Sequence, residues 1–337
     1  MPQPRGPAPS EIKKAARIIK RGGTVIFPTE TVYGLGADAL NAKAVARIFE
    51  IKRRPLFDPL IVHVSDLRQA DRLARVSPAA RALMRRFWPG PLTLVLPKKK
   101  IVPDIVTAGL PTVAVRMPGN KYALALIGAA GTPVAAPSAN RFGSLSPTTA
   151  SHTRSRLGCG ADMTLDGGRA EIGVESTVLA CAADGFRVLR HGGLPLEDLE
   201  PFTGPLDSVI KGGKKPSSPG QLAAHYAPSA GLALLGKKRI RLRKDLKYGY
   251  LAFRRAPDRS GLWKRISRTA VLSRSGDLKE AAANLFSHLH TLDKAGVDII
   301  LAEPVPELGL GRAIMDRLRR AEKGEGGRRG GTGPGNR

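Results

Sequence analysis

The run Gly22-Gly-Thr-Val-Ile-Phe-Pro28 constrains the fold more than any other stretch of this chain. Thr24 to Phe27 joins β-branched and aromatic residues directly after a Gly-Gly break, the pattern of a buried strand. Pro28 then ends the strand by removing a backbone donor. Thr29, Glu30, Thr31 and Tyr33 follow, beside Gly34 and Gly36. A strand end that opens into hydroxyls and glycines is one way an α/β protein builds the lip of a pocket. A polar loop that merely joins strand to helix is the alternative. The two glycines also hint at a phosphate cradle.

The rest of the chain alternates short apolar runs with amphipathic ones. Ser10 is placed to cap a helix whose Ile12, Ala15, Ala16 and Ile19 share a face, with Gly22 at its end. Asn41 caps a second helix that turns Val45, Ile48 and Phe49 inward and carries Lys52 at its end. Helices are expected near 66–74 and 78–87. Strands are expected at Leu60–Val64, Leu92–Leu96, Val113–Val115, Val134–Ala136, Thr164–Asp166, Ser176–Ala180 and Phe186–Leu189. The alternation is irregular, which predicts an α/β fold with a mixed sheet rather than a purely parallel one. Composition shifts after about Leu199. Residues 203–229 read as a linker, and a second α/β segment spans 230–322. Its strands are expected near 231–235, 248–253, 269–272 and 297–302, with a long helix from Asp277 to Leu292. The tails 1–9 and 323–337 are expected to be disordered, which leaves 10–202 as the first domain.

The 337 residues are 42% hydrophobic, enough for one large or two ordinary cores. Cys159 and Cys181 cannot form a disulfide framework, so a reducing, cytoplasmic compartment is expected. No apolar run reaches the ~20 residues of a membrane span, and the N-terminus has no secretory apolar core. Net charge is +27, from 55 Lys and Arg against 28 Asp and Glu. That imbalance points to phosphates, nucleic acid or a membrane surface without choosing among them.

Four groups of residues could carry chemistry. Lys52-Arg53-Arg54, with Asp58 and His63 downstream, suits a polyphosphate, because guanidinium and ammonium both pair with phosphate oxygens; cations at a helix C-terminus are the structural alternative. Arg116 shares a strand face with Ala114 and Thr112. A buried guanidinium needs an anion, either a distant Asp or Glu or a ligand carboxylate or phosphate. Pro137-Ser-Ala-Asn140 with Ser146-Pro-Thr148 could orient an anion or a sugar, and also describes a turn with a helix cap. Gly173-Val-Glu-Ser-Thr-Val178 adds hydroxyls. The chain has no P-loop, dinucleotide fingerprint, nucleophile elbow, HExxH or CxxC, and its histidines are scattered. Phosphate and carboxylate binding is expected rather than a nucleophilic triad, and no resident metal site is expected.

These blocks, in order, resemble the YrdC-like family of threonylcarbamoyl-AMP synthases. The resemblance runs through Gly22–Gly36, Lys52-Arg-Arg-Pro55, Pro59-Leu-Ile-Val-His63, Trp88-Pro-Gly-Pro-Leu-Thr93, Val113–Pro118, Pro137–Asn140 and Gly173–Thr177. Ser218–Pro228 and Gly311–Asp316 are similar to the linker and extra domain of longer, two-domain members. The resemblance implies a YrdC-like twisted mixed sheet with a concave basic cleft, plus a smaller Rossmann-like C-terminal domain. It implies condensation of L-threonine, bicarbonate and ATP, accompanied by Mg²⁺, to threonylcarbamoyl-AMP and pyrophosphate. Downstream tRNA-modification proteins, and possibly tRNA itself, are the implied partners; no membrane is.

By the same resemblance, Lys52 and Arg54 are the catalytic cations. Thr31, His63, Arg116, Ser138 and Ser176 match threonine-binding positions. Lys52, Arg54, Asp58, Thr112, Asn140, Ser146, Arg190 and Tyr226 match ATP-binding ones. Three positions depart from the family pattern: Asp58 and Asp316 where Asn is expected, and Gln221 where Met is. A carboxylate at 58 repels phosphate unless it pairs with Arg53 or Arg54 or helps hold a metal. The alternative function is a non-catalytic module for double-stranded RNA or tRNA, motivated by the basic run Lys237–Lys244. That run also reads as an edge strand whose charges discourage pairing. The linker, with His225 and Tyr226, is expected to act as a lid over the nucleotide.

Overall fold

The computed structural model describes residues 6–157, 160–182, 185–206, 218, 222, 225–236, 242–256 and 264–324. The chain divides into two units, residues 1–142 with 146–222 and residues 143–145 with 223–337.

The first unit runs α1 (Pro9–Lys20), β1 (Val25–Phe27), β2 (Gly34–Asp38), α2 (Ala42–Lys52), β3 (Ile61–His63), α3 (Leu67–Leu73) and α4 (Pro78–Phe87). It continues through β4 (Leu92–Pro97), α5 (Asp104–Thr107), β5 (Thr112–Arg116), α6 (Lys121–Ala130) and β6 (Val134–Ala135). It closes with α7 (Ala150–Leu157), β7 (Met163–Thr164), β8 (Thr177–Ala182), β9 (Gly185–Arg190) and α8 (Leu196–Thr203). The strands form one nine-stranded sheet in the order β7-β1-β2-β6-β3-β5-β4-β8-β9. Pairings are mixed: β3–β5 and β4–β8 are parallel, whereas β1–β2 and β4–β5 are antiparallel.

Period-2 alternation decides what each face of the sheet does. On one face Val62, Leu94, Val113, Val115, Leu179 and Val188 join the main core with residues of α2, α4 and α8. On the other, α1 and α6 pack over Val25, Phe27, Val134 and Ala136. Past them the sheet carries Ile61, Val95, Ala114, Val178 and Leu189, a small cluster drawn from strands alone. Thr112, Ala114 and Arg116 alternate with the core valines of β5, so the polar residues expected to bind ligand fall on this strand-only face.

Two local expectations are corrected. The glycines at 34 and 36 lie in a strand, β2, paired to β1 with Val25 opposite Gly36. A Cβ at Gly36 would stand 2.6 Å from both Phe27 and Val134, so close packing of strand and side chains requires glycine here, not a phosphate. At α1 the N-cap is Ala8, with Pro9 opening the helix, so Ser10 lies inside it. Glu11, at the third helical position, reaches back to accept the Ala8 N–H at 2.8 Å, the half of a capping box that needs no side chain on the capping residue. Asn41 caps α2 as expected, accepting from the Lys43 and Ala44 amides at 3.1 and 3.2 Å.

The second unit contains β10 (Gly231–Leu234), β11 (Tyr248–Ala252), β12 (Ile266–Val271), α9 (Leu278–Lys294), β13 (Ile299–Ala302) and α10 (Gly311–Glu322). Among the described residues its four strands, in the order β10-β13-β11-β12, are all parallel. Asp277 caps α9 through the Glu280 amide at 2.7 Å. Ala281, Leu285, Phe286 and Leu289 form the buried stripe that the spacing predicts. Asp316, where the family pattern has Asn, accepts from Arg317 at 2.6 Å and Arg320 at 2.8 Å. Gln221 and residues 237–241 of the basic run lie outside the described residues. Among the described residues no helix is long and apolar enough to cross a membrane.

Candidate active site

The site begins where β1 ends. Thr29 Oγ1 donates to the Val32 carbonyl at 2.6 Å and accepts the Thr31 and Val32 amides at 3.3 and 3.2 Å, folding residues 29–32 around one hydroxyl. Tyr33, buried, donates to the Gly168 carbonyl at 2.6 Å and accepts from the Gly167 amide at 3.1 Å. Burial and the Asp166 carboxylate push its phenol well above the usual range. These bonds turn Glu30 and Thr31 toward the end of β5. There Arg116 donates through Nη1 to Thr31 Oγ1 at 2.9 Å, through Nη2 to Glu30 Oε1 at 2.5 Å and through Nε to the Gly90 carbonyl at 3.1 Å. The anion that Arg116 requires is therefore Glu30, distant in sequence, and both side chains are more than nine-tenths buried.

Strand pairing sets the neighbours of Arg116. His63 of β3 stands opposite it in parallel register. Leu94 pairs with Val115 in the antiparallel β4, so the next step brings Thr93 beside Arg116. Thr93 shares a 2.7 Å hydroxyl bond with Ser176. Arg190 donates to the Ser176 carbonyl at 2.9 Å and to its hydroxyl at 3.1 Å. His63, its ring edge-on to Phe27, is held neutral: burial first, then the Arg116 charge, pushes its pKa down to about 3.

A second cluster forms at the end of α2. Arg53 adopts the left-handed conformation, φ 50°, as the C-cap. That reversal buries Lys52 and Arg54 and leaves Arg53 exposed. Lys52 Nζ donates to the Ser138 carbonyl at 2.5 Å and to the Asn140 carbonyl, tying the Ser138–Asn140 loop to the helix end. A protonated Nζ has three donors, so in that form one N–H remains beyond these two bonds. Burial, then the neighbouring Arg54, holds the Lys52 pKa well below the usual lysine value. Arg54 pairs with Asp58 at 2.8 Å and donates to the Asp58 and Pro59 carbonyls at 3.1 and 2.8 Å. Asp58 thus pairs with Arg54 rather than Arg53. Burial raises its pKa despite Arg54, Lys52 and Arg190 nearby. Gly34 bridges to Ser138, linking the two clusters.

The fold thus brings Thr31, His63, Arg116, Ser176 and Arg190 to one row of strand ends, and Lys52, Arg54, Asp58, Ser138 and Asn140 to a second cluster. Ser146 donates to Glu175, one residue before Ser176. Thr112 lies on the Arg116 face but four residues earlier in β5, about 13 Å along the strand at ~3.3 Å per residue. Tyr226 belongs to the second unit, where its ring packs against Phe286 at 5.7 Å and under the Arg317 guanidinium at 4.9 Å. Sequence reasoning gave no role to Glu30, Thr93 or Glu175. Glu30 and Thr93 stood inside quoted blocks, but their partners lie 86 and 83 positions away, so no local pattern pointed to them.

A family model described as telomere recombination matches residues 17–192, and one described as the threonylcarbamoyl-AMP synthase C-terminal domain matches residues 194–322. The chain belongs to the threonylcarbamoyl-AMP synthase family. Threonylcarbamoyl-AMP synthase of Pyrococcus abyssi is 45% identical over 318 residues, covering 92% of this chain and 94% of that one. That of Bacillus subtilis is 43% identical over 328 residues, covering 93% of each. The crystal structure of P. abyssi Sua5 complexed with L-threonine matches with a TM-score of 0.85 at 42% identity, covering 94% of this chain and 95% of that one. E. coli YciO, 28% identical with a TM-score of 0.50, covers 56% of this chain and 92% of its own. As a threonylcarbamoyl-AMP synthase family member the chain is an enzyme of the nucleotidyltransferase type.

Proposed function

We propose that the chain condenses L-threonine, bicarbonate and ATP to threonylcarbamoyl-AMP and pyrophosphate, supplying an activated group for the modification of tRNA beside the anticodon. The observation that carries this reading is the pairing of two anion sites of different design in one unit. Arg116 is a neutralised, deeply buried guanidinium suited to one small carboxylate. Lys52 and Arg54 surround the Ser138–Asn140 loop and suit a polyphosphate. The threonine ammonium gives up a proton, and the free amine and bicarbonate then give an N-carboxylate and water. One oxygen of that carboxylate then bonds to the α-phosphorus as the bond to pyrophosphate breaks.

The protein's work in such a transfer is alignment and charge neutralisation. Arg116, with Thr31 and His63 alongside, holds the amino acid; the neutral His63 adds no positive charge there. Lys52 fixes the loop that carries Ser138 and Asn140, and Arg54 and Arg190 meet the phosphates. Among the described residues no three of His, Cys, Asp or Glu converge as a metal set. Mg²⁺ is therefore assigned chiefly to phosphate and water oxygens. The metal would supply charge neutralisation on the phosphates.

We further assign residues 10–202 to catalysis, 203–229 to a linker that closes over the nucleotide with Tyr226, and 230–322 to the C-terminal domain. Thr112 and Ser146 complete the ATP contacts in this reading. We assign the protein to the cytoplasm, a reading supported by its having only two cysteines. Downstream tRNA-modification proteins take up the product. The test is pyrophosphate release with mass spectrometry of the product. Release is expected only when threonine and bicarbonate are both present, with a product mass equal to threonylcarbamoyl-AMP. Release that is indifferent to threonine overturns the proposal.

A further inference from the structure

Arg116 and Glu30 form an ion pair with capacity left over on both partners. A guanidinium has five N–H donors. Three are committed, to Thr31, Glu30 and Gly90, which leaves two. Glu30 Oε1 accepts from Arg116, whereas Oε2 is buried and has no partner among the described residues. A buried carboxylate oxygen without a donor is costly. A ligand that removes the cost must present a donor to Glu30 and an acceptor to Arg116.

Charge narrows the ligand further. The pair is neutral as a unit, so a neutral ligand with separated charges matches it. A phosphate or a simple carboxylic acid would set negative charge against Oε2. An α-amino acid carries its carboxylate and its ammonium on one carbon and so fits both ends. The groups against the pair add little competing charge, since His63 is neutral and Thr31 and Thr93 are hydroxyls; Arg190, the other cation of the row, is turned to the Ser176 carbonyl and hydroxyl. We propose that Glu30 is the acceptor for the α-ammonium of the amino-acid substrate, and so the residue that makes this end of the site select amino acids over other small carboxylates. The inference rests on the reading that this site binds threonine. It adds a selecting group that works beside Arg116 and separates the amino-acid end from the polyphosphate end.

The test is calorimetric titration of the full chain with L-threonine and with 2,3-dihydroxybutanoate of matching configuration. That analogue keeps the side chain and carboxylate but has a hydroxyl where the ammonium was. Wild type is expected to prefer threonine by about 10- to 100-fold, the range of one charge-assisted hydrogen bond. Glu30→Gln is expected to lose that preference while its affinity for ATP stays unchanged. A role confined to packing would weaken both ligands together and leave the ratio intact. Glu30→Asp withdraws the carboxylate by one methylene without removing its charge, and its preference is expected to fall even if the glutamine variant does not fold. A preference that persists in whichever variants fold overturns the inference while the threonine site stands. Failure of wild type to bind threonine overturns the reading of the site and this inference with it.

Discussion

Asp58 sets how the basic cluster answers to pH. Burial raises its pKa above the usual carboxylate range, so it gains a proton earlier than a surface aspartate as pH falls. The sign for binding follows: protonation removes one negative charge beside Arg54, and a nucleotide then binds more tightly. The sign for folding is the same, because a carboxylate with a raised folded pKa costs stability as pH rises through that value. Asp58→Asn, which restores the family's amide, is therefore expected to bind ATP more tightly than wild type at pH 8. The gain should be on the order of 10-fold for one charge in a partly screened site. The difference should shrink as the pH falls and Asp58 gains its proton, measured on both proteins in parallel. A ratio that does not change as the pH falls would refute the raised pKa of Asp58. Residue identities made much of the site legible: Lys52, Arg54, Arg116, Ser138 and Asn140 stand out as cations and small polar groups near strand or helix ends. Glu30 did not stand out, because its meaning lies in a guanidinium on another strand.

At the scale of elements, α2 connects the sequence most directly to function. Asn41 holds its N-terminus, the left-handed Arg53 reverses the chain at its C-terminus, and Lys52 and Arg54 turn inward as a result. Asn41→Ala should cost about 1 kcal/mol of stability, the usual worth of such a cap, read from urea unfolding. ATP turnover at 25 °C should be retained, because the cap lies at the opposite end of the helix from Lys52. The helices with strong periodicity, α2, α4 and α9, were predictable from the 3.6-residue repeat. The strand β2 was not. Gly-Leu-Gly-Ala has little intrinsic strand preference, and it pairs because Phe27 and Val134 leave room only for a glycine at 36. Short helices such as α5 likewise carry too few residues for a period to show.

For the whole molecule, the hydrophobic clusters among the described residues each draw on one unit. The clusters of the first unit draw on residues up to Leu206, and the cluster of the second spans Ala233 to Leu301. A chain ending at Leu206 is therefore expected to unfold cooperatively and to keep its threonine affinity. Cutting at Leu199 would divide α8, whose Leu196 and Leu199 belong to the core. ATP-dependent product formation by the shorter chain should fall by about tenfold or more, the loss expected from one hydrogen-bonding contact, if Tyr226 and the linker reach the nucleotide. Full activity would remove both from the site. By itself the sequence determined the α/β class, the mixed sheet and the two-part organisation, and it singled out the charged residues proposed here to bind anions. Those follow from hydrophobic period, from Gly and Pro breaks and from which side chains carry charge. Only the tertiary structure decided which charges meet. Strand register placed His63 opposite Arg116, and a folded six-residue loop delivered Glu30 to a guanidinium 86 positions away. Pairing between distant segments is fixed by the packing of a whole sheet, which no local stretch of sequence encodes.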